Sequence, residues 1–259
     1  PAGRVDSNVD IHTNTSLVST NVFEGASHIQ TVTMPNSLIG DFGLIFKETT
    51  GLQNIILISN TRPQVLDEID GVLYSSDFTV LYKYPEAKTN TSYTVNSSTI
   101  TINDAAFYGA SNLTTVILPE GLVNIDSEAF MNTENIATIN IPTTLKNIRD
   151  MAFYNSNSIT SIVLTNTVES VDYMAFAEMD SLTSIRFEGV GYVDGYVLYN
   201  CGSLTDLFLN AVTFYPDALN GIRNLQNFEL VSGTLYAGIE DDVIYAKDMI
   251  TLYRYGDWL

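Results

Sequence analysis

Apolar residues recur along this chain with a period of about 23 residues, as in a repeat protein. Four phenylalanines, each directly after an alanine, mark the clearest copies: Phe107, Phe130, Phe153 and Phe176. When each phenylalanine is numbered 0, apolar residues follow it at +6, +9 and +11, and another precedes it at −5. A fixed period of about 20 to 50 residues is typical of a solenoid, whose small coils bury their apolar sides against one another.

The pattern within one period predicts two short strands and a tight turn. Positions +6 to +11 form an extended run in which +9 and +11 point inward, and the segment that ends at −5 is a second extended piece. The Ala–Phe step predicts a tight helical or irregular turn. Weaker copies around Phe23, Phe46, Leu198 and Leu219 extend the pattern. The sequence therefore predicts an α/β repeat that is mostly β, a solenoid of about 23-residue coils with stacked short strands.

The period is interrupted between Phe46 and Phe107, where the gap is longer than two periods. Within residues 70–85, two extended runs flank Ser75–Asp77, a pattern that predicts a β-hairpin. A similar pattern returns in residues 241–255, so this second hairpin either starts a further unit or caps the C-terminal edge. The predicted division of a single solenoid over 1–259 has first coils in 17–59, a coil with the inserted hairpin in 60–95, regular coils in 96–238 and the second hairpin in 239–259.

The charge balance argues against two classes of partner. Eleven basic and 30 acidic residues give a formal net charge of −19. Nucleic acid is an unfavourable partner because phosphate contacts need clustered Lys and Arg, and association with anionic lipid is disfavoured for the same reason. No apolar run of about 18 residues is present, so we predict no membrane insertion.

The sequence contains no recognisable catalytic, metal or cofactor signature. There is no glycine-rich nucleotide loop and no metal-ligand spacing, and the two histidines, His12 and His28, lack a suitably placed nucleophile. Cys201 is the only cysteine, so it forms no internal disulfide, and we interpret it as a small buried residue. We therefore predict a protein that is not an enzyme and uses no cofactor.

Three segments carry a resemblance to the BspA-type leucine-rich-repeat family. They are the Ile-x-x-x-Ala-Phe segment at Ile125–Phe130, the Leu-x-x-Val-x-Leu-Pro segment at Leu113–Pro119, and the hairpin residues Gly71–Tyr74 and Leu81–Pro85. The resemblance covers the chain from about Val18 onward. It implies a right-handed solenoid with parallel strands and a cell-surface or secreted protein of a mucosal bacterium or protozoan. It also implies adhesion to host or bacterial surfaces, so we expect a surface protein as the partner.

Outward-facing residues at +8 and +10 are the first candidates for a binding surface. They are predicted to face out on a concave sheet, and the +10 positions vary most and include apolar side chains. An exposed apolar patch with a polar rim indicates an interaction site, although β-propensity alone also favours such residues in strands. Arg186 and Phe208 are the predicted anchors. The full candidate set is Ile117, Asn140, Val163, Arg186, Phe208 and Glu229.

Hairpin tyrosines offer an alternative site. Tyr82 and Tyr84 in the first hairpin, and Tyr253 and Tyr255 in the second, are able to stack on a glycan or peptide. Tyrosines at such positions more often cover the side of the solenoid. A third hypothesis is that the chain is a structural spacer for another domain.

An acidic residue also recurs once per coil. Cation binding or docking of a basic partner is one interpretation, but capping of the short turn by a carboxylate is favoured. The stripe consists of Asp104, Asp126, Asp150, Asp172 and Asp194.

Overall fold

The computed structural model describes residues 6–230, 238–240, 243–245 and 252–255. It shows a β-solenoid with mainly parallel strand pairing and with the period that the sequence predicts. Helical structure within the described residues is limited to one α-helix, Phe42–Ile45, and one 3-10 helix, Pro216–Leu219.

The N-terminal coils form a small parallel sheet. Its strands are β1 (Asn8–Asp10), β2 (Thr31–Pro35) and β3 (Asn54–Ile58), in the order β1-β2-β3. The α-helix α1 (Phe42–Ile45) begins after Asp41, whose Oδ1 accepts a hydrogen bond from the backbone N–H of Leu44 at 3.4 Å. Asp41 stands at the −5 position of its coil, so a helix cap replaces the usual apolar strand residue there.

The first hairpin is part of the solenoid wall. Strands β4 (Leu66–Ile69), β5 (Val72–Ser75) and β6 (Val80–Lys83) form an antiparallel meander. The turn between β5 and β6 lies at the predicted Ser-Ser-Asp sequence, and β6 then pairs in parallel with β8 (Thr101–Ile102) of the next coil. The last strand of the hairpin therefore takes the place of a −5 strand.

The regular coils build two parallel columns of strands. The first column, at +8 to +11, contains β7 (Ser92–Thr94), β9 (Thr115–Ile117), β11 (Thr138–Ile139), β13 (Ser161–Leu164) and β17 (Asn227–Leu230). The second column, at −6 and −5, contains β8, β10 (Asn124–Ile125), β12 (Asn147–Ile148) and β14 (Ser170–Val171).

Two long strands, β15 (Ser184–Val193) and β16 (Asp206–Phe214), run through both columns. Earlier coils place Pro119 or Pro142 at the corner between the columns, and proline removes a donor from the sheet. β15 instead has Gly189 there, with φ of +85°, at the point where the register with β16 shifts. The glycine bulge turns the corner without ending the strand.

The Ala–Phe segments form a third, buried column. The rings of Phe107, Phe130 and Phe153 stack with centroids 4.8 and 5.0 Å apart. The backbone N–H of Phe130 donates to the carbonyl of Ala152 in the next coil at 2.7 Å, so the segment adds its own hydrogen-bond ladder. The turn is irregular rather than helical, because residues two before and two after the ring adopt positive φ, for example Glu128 at 57° and Asn132 at 60°.

The described core divides into two clusters that meet at β5. Leu73 belongs to the N-terminal cluster, whereas Val72 and Tyr74 on the opposite face belong to the larger cluster of the regular coils. All three side chains are fully buried. Alternation along one strand thus places this hairpin strand as a wall between two apolar cores.

At the C-terminal end, β18 (Gly238–Glu240), β19 (Val243–Tyr245) and β20 (Leu252–Tyr255) pair antiparallel. This finding confirms the second hairpin at the level of the backbone.

Candidate functional site

The side chains at position +10 of four successive coils lie side by side on the first column. Val163 pairs in register with Arg186, Arg186 with Phe208, and Phe208 with Glu229. Their inward neighbours at +9 and +11, such as Ile185 and Leu209, are buried, so the +10 side chains project to the opposite, outward face.

Strands β15, β16 and β17 together form a shallow depression on this outward face. Its volume is about 350 Å³. The lining residues are Ser184, Arg186, Asp206, Leu207, Phe208, Gln226, Asn227, Phe228 and Glu229. We call this feature the β15–β17 depression; it brings together three of the six candidate residues predicted from the sequence, Arg186, Phe208 and Glu229.

Arg186 and Phe208 form a contact that fixes the middle of the depression. The guanidinium carbon of Arg186 lies 4.1 Å from the centroid of the Phe208 ring, a cation–π geometry. The Nε of Arg186 also donates to Glu188 Oε1 at 2.8 Å. With 42% of its side chain exposed, Arg186 is held in place and still accessible to a partner.

Two carboxylates make the remainder of the depression acidic. Asp206 accepts hydrogen bonds from the Thr205 hydroxyl at 2.5 Å and from the Asn227 amide at 2.6 Å. These bonds lower the pKa of Asp206, which therefore stays ionised at neutral pH. Glu229 is exposed on the neighbouring strand. The depression thus combines one cation, two aromatic residues and two anions.

Of the remaining three candidates, Val163 adjoins Arg186 in register, whereas Ile117 and Asn140 are not continuous with this row. β11 pairs only with β9, and β13 only with β15, so the first column is interrupted between them in the described structure. Asn140 lies at this interruption and binds the backbone of Leu118 through both amide atoms, at 2.8 and 2.9 Å. Its amide is therefore engaged within the sheet. Ile117 (40% exposed) and Val163 (45% exposed) lie on either side.

The hairpin tyrosines differ from expectation. Tyr84 is buried at 1% exposure and stacks on Phe107 with centroids 5.3 Å apart, so it is not available to stack on a glycan or peptide. Tyr82 is half-buried, with its ring 5.4 Å from that of Phe42. Both side chains pack on the solenoid because β6 is a wall strand. The side chains of Tyr253 and Tyr255 lie outside the part of the structure that is described.

A family model for the BspA-type leucine-rich-repeat region matches the chain in six copies, over residues 6–67, 82–205 and 147–246. This chain belongs to the BspA-type leucine-rich-repeat family. Among curated protein sequences, none matches it significantly.

Solved leucine-rich-repeat structures resemble this member in fold. A leucine-rich repeat protein from Eubacterium ventriosum ATCC 27560 has a TM-score of 0.76 at 20% identity, over 88% of this chain and 63% of that one. A leucine rich cell surface protein from Faecalibacterium prausnitzii A2-165 has a TM-score of 0.60 at 19% identity, over 87% of this chain and 60% of that one. The pneumococcal vaccine antigen PcpA has a TM-score of 0.53 at 16% identity, covering 91% and 72%.

These identities establish the fold alone. The chain also spans less than two thirds of the length of the Eubacterium and Faecalibacterium proteins.

The leucine-rich-repeat coil also explains Cys201. It occupies the position three residues after the coil's central apolar residue, where Thr133 and Ser156 occur in other coils, and its Sγ lies 3.0 Å from the carbonyl oxygen of Phe176. Burial raises the pKa of the thiol to about 12, so the reactive thiolate is disfavoured.

No metal-ligating cluster of three or more His, Cys, Asp or Glu occurs within the described residues. None of the helices described there is long and apolar enough to cross a membrane.

Sequence reasoning missed a buried ion pair in the first hairpin. Lys83 Nζ lies 3.2 Å from Glu86 Oε1 and 3.2 Å from the carbonyl oxygen of Ala105, and both charged side chains are almost fully buried. The spacing of three residues was visible, but burial was not, because Lys83 alternates with tyrosines on what looked like an exposed hairpin.

The acidic stripe makes bonds between coils. Asp104 Oδ1 accepts from the backbone N–H of Ser127, which lies in the next coil, at 2.9 Å. Asp172 pairs with Arg149 of the preceding coil at 3.0 Å. Capping within the same turn, the favoured interpretation, therefore does not describe these two residues, because their partners come from neighbouring coils.

Proposed function

We propose that this protein is a non-enzymatic binding module, located at the cell surface or secreted, that attaches to a surface protein of a host or of another bacterium. The contact surface is the outward face of the first column. The observation that carries the proposal is the β15–β17 depression, where Arg186 and Phe208 are held against each other on three adjacent strands. Arginine and aromatic residues are the side chains most enriched at the energetic centres of protein interfaces.

The depression suits a protein partner for physical reasons. Arg186 is already oriented by Glu188 and Phe208, so binding costs little of its side-chain entropy. Its guanidinium is a donor for a partner carboxylate, and the Phe208 ring gives apolar contact area. Asp206 and Glu229 are acceptors for donors at the edge of the same contact. The solenoid supplies rigidity because each coil is fixed by its neighbours.

Family membership supports the proposal in addition to the geometry of the depression. The family match and the likeness to a leucine rich cell surface protein are consistent with a surface location. The net charge of −19 argues against nucleic-acid contact, and the burial of the Cys201 thiol argues against its use as a nucleophile. Both observations are consistent with a binding role.

The test is capture followed by affinity measurement. Immobilised protein is incubated with host mucosal proteins and bacterial surface extract, and a captured partner is identified, purified and titrated. We expect Arg186→Ala/Phe208→Ala to weaken its affinity by about tenfold or more, since hot-spot truncations each cost about 1–2 kcal/mol or more. Leu17→Ala/Ile39→Ala removes two exposed apolar side chains outside the first column and is the control that should retain affinity.

Two outcomes contradict the proposal. Equal affinity of wild type and the Arg186→Ala/Phe208→Ala variant would place the contact elsewhere on the solenoid. Failure of the wild type to capture any partner that survives purification would favour the structural-spacer hypothesis.

A further inference from the structure

A second exposed feature lies on the outward face of the second column, away from the β15–β17 depression. Tyr192 near the end of β15 and Tyr215 directly after β16 have ring centroids 5.8 Å apart at an interplanar angle of 70°. Tyr215 is 46% exposed. The residues behind them, Val193 and Phe214, are already buried in the core, so the two tyrosine rings are additional to the core packing.

Three further tyrosines lie around the adjacent corner of the same coils. The ring of Tyr196 is 5.8 Å from that of Tyr173 and 5.8 Å from that of Tyr199. Tyr173 is 38% exposed. We call Tyr173, Tyr192, Tyr196, Tyr199 and Tyr215 the tyrosine patch. Tyr192, Tyr196 and Tyr199 are half-buried. Aromatic rings clustered at a protein surface mark an interaction site.

Asp194 joins the two halves of the patch. It lies two residues after Tyr192 and two before Tyr196, and its carboxylate adds to the larger effect of burial in raising the pKa of the Tyr192 hydroxyl. Asp172 lies beside it, because Val171 and Val193 pair in register on the preceding residues. Asp150 is close enough for the charges of Asp172 and Asp194 to raise its pKa, after the larger effect of burial.

The charge around the patch is negative. Among Asp150, Asp172 and Asp194, only Asp172 forms an ion pair within the described residues, with Arg149 at 3.0 Å. A cation that enters here gains both carboxylates and tyrosine faces, whereas an anion meets repulsion.

The ring geometry also favours a cation over a sugar. A saccharide stacks flat on an aromatic platform, but the pairs Tyr192–Tyr215 and Tyr173–Tyr196 are T-shaped, at 70° and 62°. Such pairs offer one ring face beside one ring edge. The molecule uses a tyrosine face and a carboxylate for a cation elsewhere: Lys47 Nζ lies 5.2 Å from the Tyr108 ring centroid and 2.5 Å from Glu128 Oε2.

We propose that the tyrosine patch binds a Lys- or Arg-rich peptide segment of a partner, with its cationic groups over the rings of Tyr192 and Tyr215 and against Asp172 and Asp194. This site is separate from the β15–β17 depression. It gives the solenoid a second contact surface with a different chemical preference from the first.

The test uses calorimetric titration of the full chain with an amidated peptide of arginine alternating with glycine, at about 0.15 M salt, where long-range attraction is screened beyond about 8 Å. Tyr192→Ala/Tyr215→Ala should weaken binding about tenfold, since each ring contributes a separate cation–π contact. Tyr192→Phe/Tyr215→Phe keeps both rings and should bind within about twofold of wild type. Both variants keep the net charge of −19, so general charge attraction is constant.

Three further arms make the result decisive. Asp172→Asn/Asp194→Asn should weaken binding more than the charge-matched remote variant Asp10→Asn/Glu24→Gln. This comparison still tests the site if Tyr192→Ala/Tyr215→Ala does not fold. Arg186→Ala/Phe208→Ala should retain peptide binding even if it loses the surface partner, so the two proposals fail separately. The matching Glu–Gly peptide should not bind.

The inference is overturned if the wild type does not bind the arginine peptide at this salt. It is also overturned if Tyr192→Ala/Tyr215→Ala is folded and binds as tightly as wild type, which would mean attraction by overall charge alone. Preferential binding of a neutral oligosaccharide would instead assign the patch to glycans.

Discussion

Single carboxyl groups in this solenoid experience opposite environments. Asp126 is partly buried beside Asp104, and burial followed by that neighbouring charge raises its pKa to about 6, despite the opposing effect of Arg149. Asp77, in the exposed hairpin turn, accepts hydrogen bonds from Ser75 and Thr79, which lower its pKa to about 2. At neutral pH, ionisation of Asp126 therefore destabilises the folded state, whereas ionisation of Asp77 stabilises it.

The Asp126 carboxyl should make stability depend on pH. Its unfolded pKa is near 3.8, so between about pH 4 and 6 the folded state holds the extra proton, and stability falls as pH rises through that window. Since solvent screens this partly exposed group, we expect Asp126→Asn to raise the free energy of unfolding by only about 1–2 kcal/mol at pH 7.5 and to have no such effect below about pH 4. Urea denaturation at a series of pH values measures this difference.

Asp77→Asn provides the comparison of opposite sign. Its folded pKa is lowered, so its contribution is present above pH 4 and is lost only as pH falls toward 2. The Asp77→Asn variant should therefore lose stability at pH 7.5.

An Asp126→Asn effect on stability that is the same at pH 4 and pH 7.5 would show that the Asp126 carboxyl is not responsible for the pH dependence.

The first hairpin shows how an element depends on buried charge. Lys83 and Glu86 lie 3.2 Å apart with both side chains almost fully buried. Removal of one partner leaves the other charge buried and unpaired, so we expect Lys83→Met to destabilise the fold by about 3–5 kcal/mol. Replacement of both by apolar residues, Lys83→Met/Glu86→Leu, should recover most of that loss. Chemical denaturation of the wild type and the two variants gives these values.

A matched exposed pair serves as the control. Lys146 and Glu169 lie 2.7 Å apart with 51% and 61% of their side chains exposed, so Lys146→Met should cost less than about 1 kcal/mol. If the Lys83→Met and Lys146→Met variants lost stability equally, burial would not be the source of the effect.

Element-level predictions from the sequence succeeded where periodic burial dictates the strand. Most +9 and +11 positions and the stacked phenylalanines are buried because each coil has no other core, although Ile139 and Ile141 are only partly buried. The repeat pattern allowed only Phe or Leu at position 0, so it did not identify Tyr84 of the hairpin as a core residue. Tyr84 lies one full period before Phe107, and Tyr93 takes the +9 position by pairing with Val116, so the spacing was present in the sequence.

The candidate site was predictable in register but not in contacts. The period places Val163, Arg186, Phe208 and Glu229 in one row. The engagement of Asn140 with Leu118 depends on a side-chain conformation that no repeat pattern encodes. The second column was overlooked as a surface, although its outward positions flank the apolar −5 residue just as +8 and +10 flank +9.

At the scale of the whole molecule, the two core clusters meet at the first hairpin. β5 separates them, with Leu73 on one side and Tyr74 on the other. The helix α1 touches the regular coils at Gly43, where an added Cβ would lie 1.6 Å from the carbonyl oxygen of Asp104. Because a solenoid is held mainly by contacts between neighbouring coils, the clusters should respond separately to damage.

Phe42→Ala tests this separation. Phe42 is 2% exposed in the N-terminal cluster, and its loss should cost about 3–5 kcal/mol. Hydrogen exchange followed by mass spectrometry should show faster exchange in β2 and β3, while amides of β13 and β15 remain protected. Phe130→Ala, in the larger cluster, should give the reverse pattern. Equal loss of protection across both clusters in either variant would mean that the solenoid unfolds as one cooperative unit, and that the hairpin strand β5 transmits instability between its two faces instead of containing it.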